Sequence, residues 1–171
     1  MKAFDYLSKE DLKKMLSNFA KNWLAHDGLW FQAVENAYGQ EQAIALDIEA
    51  WKRFSPIEAK RIKTFLNLPE KGGLEALEKA LNLRLYAILN EQRSERVGER
   101  LRFYMVDCRV QSARKRKGLD DFPCKPVGIV EYSTFAETID PRIQTRCLTC
   151  PPDPHSDDFY CGWEFWVEEE K

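Results

Sequence analysis

Three cysteines and a histidine crowd the stretch from Arg146 to Val167, RCLTCPPDPHSDDFYCGWEFWV. Cys147 and Cys150 form a C-x-x-C pair, Cys161 follows, and Cys124 and Cys108 lie upstream. In a regular strand Cys147 and Cys150 would point to opposite faces, because side chains alternate. Pro151-Pro152 stops that strand from continuing regularly. The chain must bend there, which lets both sulfurs turn towards one point. Cys161, early in the next strand, faces the same point, and Cys124 sits in a loop that must lie nearby for the following helix to pack. Four thiolates converging in this way match a closed tetrahedral zinc site, with Zn–S near ~2.3 Å. Zinc suits ligands drawn from separate elements, although all-thiolate ligation leaves iron open. His155 could replace one cysteine or be an exposed loop residue. Inert core cysteines, a reactive thiol and a disulfide are the competing readings. The total of five cysteines is odd, so at least one cannot pair within the chain.

Cys108 offers a second kind of chemistry. It follows Asp107 at the end of an expected strand and precedes an arginine-rich helix. A thiol beside arginines and a helix N-terminus can have a lowered pKa and act as a nucleophile, with Asp107, His26 or Glu131 as conceivable partners. A buried, inert cysteine is the alternative. A third candidate is AHDGLWF, where His26 and Asp27 stand close to Trp23, Trp30 and Phe31. With Glu35, Asp47 and Glu58 on following helices, these residues could form polar groups in an aromatic-lined pocket. The candidate ligand contacts are Trp23, His26, Trp30 and Glu35. In the plainer reading Asp27 caps a helix and the glutamates are solvated. The basic run ARKRKG, with Arg109, Lys125, Arg142 and Arg146, is either an anion patch or a solvated helix face.

The elements that must position these residues change character along the chain. Ser8 and Asp11 form a capping box, and Leu12, Met15, Leu16, Phe19 and Trp23 recur at helical spacing to about Ala25. Asp27-Gly28 punctuates, and a second helix runs to Gly39. A third carries Ala43, Ile44, Ile48 and Trp51. Ser55-Pro56 opens a fourth, with Ile57, Ile62, Phe65 and Leu66 expected inside. A fifth carries Leu74, Leu77, Leu81, Leu85 and Ile88. Residues 1–94 therefore read as all helix. ERLRFYMVDC then alternates as a strand, RVQSARKRKGL is a short helix, and DDFPCKPVG is a loop. IVEYSTFAETID is a second helix stopped by Asp140-Pro141, and RIQTRCLT is another strand. FYCGWEFWVEE is a third, with Phe159, Cys161, Trp163, Phe165 and Val167 on one face. Residues 95–171 are thus a small antiparallel sheet with two inserted helices, and the expected whole is one α+β domain whose helices cover the sheet.

Composition narrows the function classes. The chain has 171 residues and a formal net charge of −2, so no global field attracts nucleic acid or acidic membranes. No apolar run approaches the roughly 18 residues of a membrane span. The N-terminus lacks a signal peptide's apolar core, which leads us to expect a cytoplasmic protein, where thiols stay reduced. No phosphate-binding or nucleophile-elbow motif is present. The glutamates from Glu168 to Glu170 read as a solubilising tail.

The cysteine spacing, the strand-helix-helix-strand-strand order and the helical first half resemble the 4-vinyl-reductase-type domain, the aromatic-effector sensor of phenol-responsive bacterial activators. That resemblance implies one structural zinc held by Cys124, Cys147, Cys150 and Cys161, with Cys108 outside the shell. The segment from CRVQSARKRKG through CGWEFWV also resembles bacterial proteins of the L-2-amino-thiazoline-4-carboxylate hydrolase-like group. Nearly the whole chain, including NWLAHDGLWF and DPRIQTRCLTCPPDPH, resembles an uncharacterised group of small cytosolic bacterial and archaeal proteins near that group. The expectation is a zinc-stabilised, sensor-like domain that binds a small molecule. The alternative is a hydrolase using Cys108, and a homodimer pairing apolar helices is a further possibility.

Overall fold

In the computed structural model, which describes residues 4–168, six α-helices pack with one four-stranded antiparallel sheet. The acidic tail beyond Glu168 lies outside the described residues. Helix α1 spans Lys9–Tyr38, and its capping box is formed in both directions between Ser8 and Asp11. It does not break at Asp27-Gly28. A single mid-helix glycine costs only about 1 kcal/mol, so the expected first and second helices are one. Helix α2, Gln40–Phe65, likewise runs through Ser55-Pro56 with Pro56 inside it. Its inner residues Ala59 and Ile62 belong to the main core, and packing along α6 sustains the helix past the proline.

The expected fifth helix is instead split into α3, Gly73–Leu81, and α4, Leu85–Leu89. Arg84 sits at the break, 2% exposed. There its guanidinium reaches Glu58 of α2 at 2.9 Å and Glu131 at 2.7 Å. The first strand was also hidden. Strand β1, Glu91–Val97, lies within the region read as helix. EQRSERV has almost no apolar content, which suits the edge of a sheet but removes the alternation that marks a strand. A tight turn joins it to β2, Arg100–Asp107, through Gly98 at φ 57°, a conformation that favours glycine.

Helix α5, Arg109–Arg116, follows with Cys108 at its N-cap. Helix α6 spans Lys125–Ile139 and starts earlier than expected, with Pro126 in its first turn and Cys124 at its N-cap. Strands β3, Ile143–Thr149, and β4, Cys161–Val167, complete the sheet in the order β1-β2-β4-β3. Leu101, Phe103 and Met105 of β2 join Trp163 and Phe165 of β4 in the core under α3 and α6. Helix α6 approaches β4 so closely that a Cβ on Gly128 would stand 2.8 Å from the Trp163 ring. Phe159 is not on that inner face. It packs 4.8 Å from the Tyr104 ring, on the outer side of the sheet. On the same side Glu164, fully buried, accepts from Arg100, Arg102 and Arg146.

Helix α2 lies against α6, and α1 lies against α2 and α4. The expected inward faces are partly uncovered here: Ile57 is 46% exposed and Phe65 80%. No described helix is long and apolar enough to cross a membrane.

Candidate functional site: a thiol cluster on the wall of a cavity

The bend at Pro151-Pro152 is secured by hydrogen bonds. Asp153 N–H donates to Cys150 O at 2.9 Å and Lys125 N–H donates to Pro151 O at 2.9 Å. The Lys125 ammonium pairs with Asp153 at 2.7 Å. These bonds tie the β3–β4 connection to the first turn of α6, which is where Cys124 stands. Cys124 and Cys150 consequently have their sulfurs 3.6 Å apart. Interactions with Cys124, then Cys147 and Cys161, hold Cys150 protonated far above the usual thiol range. The Cys147 thiol is lowered, first by its bond from Cys150. Two N–H groups point at the cluster's sulfurs. Trp163 Nε1 donates to Cys161 at 3.3 Å and Gln111 Nε2 to Cys124 at 3.4 Å. Gln111 is fixed for this by a two-way bond with the Phe122 backbone.

All five cysteines are free thiols. As the side chains stand, no group of three or more His, Cys, Asp or Glu among the described residues is set to hold a metal ion. The four sulfurs meet as a thiol cluster centred on Cys150 rather than as a closed cage. His155 is not among them. It is anchored between Asp121, at 3.0 Å, and Ser156 O, which raises its pKa.

Next to the cluster lies a cavity of about 720 Å³ between α1, α2, α4, α5, α6 and the sheet. Cys124, Cys150 and Cys161 form part of its wall. Of the four expected ligand contacts, only Glu35 lines it. Trp23 stands behind the wall, 6.1 Å from Trp51 and 5.8 Å from Tyr86, rings that do reach the cavity. His26 is exposed on α1 and Trp30 is 68% exposed. The helical period explains this outcome: with α1 unbroken, His26 and Trp30 share an outward face while Asp27 and Gly28 turn inward. Sequence reasoning missed Arg84, Tyr86 and Tyr132. Their signal is absent locally, because α4 and α6 meet only in three dimensions.

The buried charges are unevenly matched. Arg84 is shared by Glu58 and Glu131, and its ring neighbours are Phe135 at 4.6 Å and Tyr132 at 5.4 Å. Burial opposes the Arg84 charge, but Glu131 and Glu58 more than offset it and hold the group protonated. Asp47, on the cavity wall, is pushed up to about 7 by burial, then by the like charges of Asp27 and Glu131. Burial also raises Asp27.

Cys108 lines the same cavity. Burial pushes its thiol up to about 12, and the arginines after it do not offset that. This is opposite to the lowering expected for a nucleophile. Asp107 accepts from Ser112 rather than from the thiol. Of the expected basic patch, Arg142 pairs with Asp140, Arg146 with Glu164 and Lys125 with Asp153, while Arg109, Arg114, Arg116 and Lys117 stand together on the cavity lining.

No curated protein and no solved structure gives a match to the chain. A family model matches residues 5–167, nearly the whole of the described chain. The chain belongs to the family of unknown function DUF6125.

Proposed function

We propose that the protein is a zinc-stabilised, sensor-like domain that binds a small, partly apolar molecule between its helices and its sheet. The observation that carries this reading is the cavity of about 720 Å³ walled on one side by helices and on the other by the cysteine cluster. Its volume falls in the range of small-molecule sites, and aromatic rings with a few polar groups are the usual lining of such sites.

The residues suit zinc. Tetrahedral Zn–S bonds of about 2.3 Å put sulfurs about 3.8 Å apart, close to the 3.6 Å between Cys124 and Cys150. The N–H groups of Trp163 and Gln111 would stabilise thiolates at Cys161 and Cys124. Bound there by Cys124, Cys147, Cys150 and Cys161, zinc would supply a cross-link between the α6 N-terminus and the strand ends. The four thiols would deprotonate to hold it, with Cys108 outside. The resemblance to the 4-vinyl-reductase-type domain supports the same ligand set, and the abundance of free thiols suits a reducing cytoplasm.

Elemental analysis of protein purified without added metal, with a thiol titration, tests the metal. About one zinc and one reactive thiol per chain are expected; no metal with every thiol titratable would remove zinc from the reading. Native mass spectrometry of the same sample tests the cavity, where a retained small molecule is the expected result.

The hydrolase alternative retains one favourable observation, the position of Cys108 on the cavity wall. Turnover of a thiazoline carboxylate that disappears in Cys108→Ala would favour it. A second copy of the chain would have a place to pack on α1, where Leu16, Phe19 and Leu29 are more than half exposed. Light scattering after size exclusion decides between monomer and homodimer.

A further inference from the structure

The cavity has charges of both signs, and its acidic groups gather on one wall. Asp27 of α1, Asp47 of α2 and Glu131 of α6 line it together with the rings of Trp51, Tyr86 and Tyr132. The three carboxyls come from three different helices, so the fold itself brings them together. They act on one another as like charges. The cation built into this region, Arg84, already answers Glu58 as well as Glu131. Glu131 is 8% exposed, and its Oε1 is ion-paired with Arg84 Nη1 at 2.7 Å but has no hydrogen-bond partner. Among the described residues no ion pair is formed by Asp27 or Asp47.

Buried carboxyls with too little positive charge among them favour a cation that brings its own charge. Aromatic faces beside them attract the same kind of group. The basic residues that also line the cavity are Lys21 on α1 and Arg109, Arg114, Arg116 and Lys117 on α5 and its C-terminal end; Arg114 is half-buried and the others are exposed to water. They screen poorly into the buried wall.

We propose that this wall binds the ammonium group of an organic amine, whose apolar body lies against Trp51, Tyr86 and Tyr132. The inference rests on the cavity being a ligand site and names the class of ligand. Gly28 fits the picture, since it lines the cavity and a Cβ there would meet nothing within 4 Å.

The test is calorimetric titration of the full chain, as purified, at about pH 8, above the value of about 7 to which the Asp47 carboxyl is raised. Three probes share one body: 2-phenylethylamine, 2-phenylethanol and 3-phenylpropionate. The amine should bind at least about tenfold tighter than either of the others, a difference a single well-placed charge supplies. Asp47→Asn and Asp27→Asn should each reduce amine affinity by about tenfold and leave the alcohol unchanged. Gly28→Trp, with its helical content checked by circular dichroism, should abolish binding of all probes by filling the space. Equal or tighter binding of the alcohol or the carboxylate, lost in Gly28→Trp, would overturn the amine assignment and leave the cavity as a ligand site. Amine binding that survives both aspartate variants would also overturn it. Failure of all three probes to bind the intact protein would overturn the amine assignment and the ligand-site reading together.

Discussion

Helix α1 and strand β4 make the clearest contrast in the molecule. Over 30 residues α1 buries a single side chain, Ala20. Over seven residues β4 buries five, from Cys161 to Phe165. The strand lies in the middle of the sheet with α6 pressed on its face, so each inward side chain displaces water from two sides. The helix lies on the outside, holding an aromatic cluster at Trp23 and roofing the cavity along its Asp27-Gly28 turn. The sheet half is therefore built for packing, and the outer helical hairpin gives up packing to enclose space. If that division is right, damage near β4 should cost stability, and changes on α1 and α2 facing the cavity should cost little or even stabilise.

The largest effect is expected at the thiol cluster. Structural zinc contributes on the order of 10 kcal/mol in small domains, so if zinc is held as proposed, Cys150→Ser should remove it and leave the C-terminal half without a cooperative melting transition. Calorimetry with metal analysis reads this directly, and unchanged melting with unchanged zinc would break the contrast. Next comes Arg84→Ala, which strands Glu58 and Glu131 without their cation. Breaking a buried pair costs about 3–5 kcal/mol, visible as a lower urea midpoint with circular dichroism as the probe.

Asp47→Asn is expected to act in the opposite direction. The folded-state pKa of about 7 lies above the ordinary 3.8. The folded protein therefore holds a proton that the unfolded chain releases, and stability falls as pH rises between those values. The variant loses this penalty, so its advantage over the parent should grow from pH 5 to pH 8 and reach roughly 1–3 kcal/mol. Urea unfolding at both pH values checks the slope, and a constant difference would mean that Asp47 is not buried against like charges. The smallest effect is Gly28→Ala. With open space beyond its Cβ, the added methyl should stabilise α1 by about 0.5–1 kcal/mol. A loss of stability there would mean that the α1 wall is packed rather than open.

Particular residues show how far the sequence could be read. Ser8 and Asp11 marked the start of α1 because a capping box is a local bond, complete within four residues. Asp140-Pro141 marked the end of α6 locally too, because a proline and the residue before it cannot continue a helix. Gly28 and Pro56 misled, since each is a local break whose modest cost is outweighed by contacts with distant elements. Strand β1 was invisible because an edge strand of Glu, Gln, Arg and Ser carries no apolar alternation. The convergence of Cys124, Cys147, Cys150 and Cys161 was legible because the Pro151-Pro152 bend fixes the direction of two of them. The pocket contacts were not: Trp23 and Trp30 are aromatics near a polar pair, and only an unbroken α1 decides which of its faces looks inward.

What the sequence determined by itself is thus everything governed by neighbours along the chain: the helix caps, the period-two strands, the α+β class and the clustering of thiols around a bend. Tertiary structure alone decided the cavity, the sharing of Arg84 between Glu58 and Glu131, and the meeting of Asp27, Asp47 and Glu131. Those depend on which helices pack together, and the energy that selects the packing is burial of apolar surface, which is non-directional and leaves no signature at the polar residues it brings into contact.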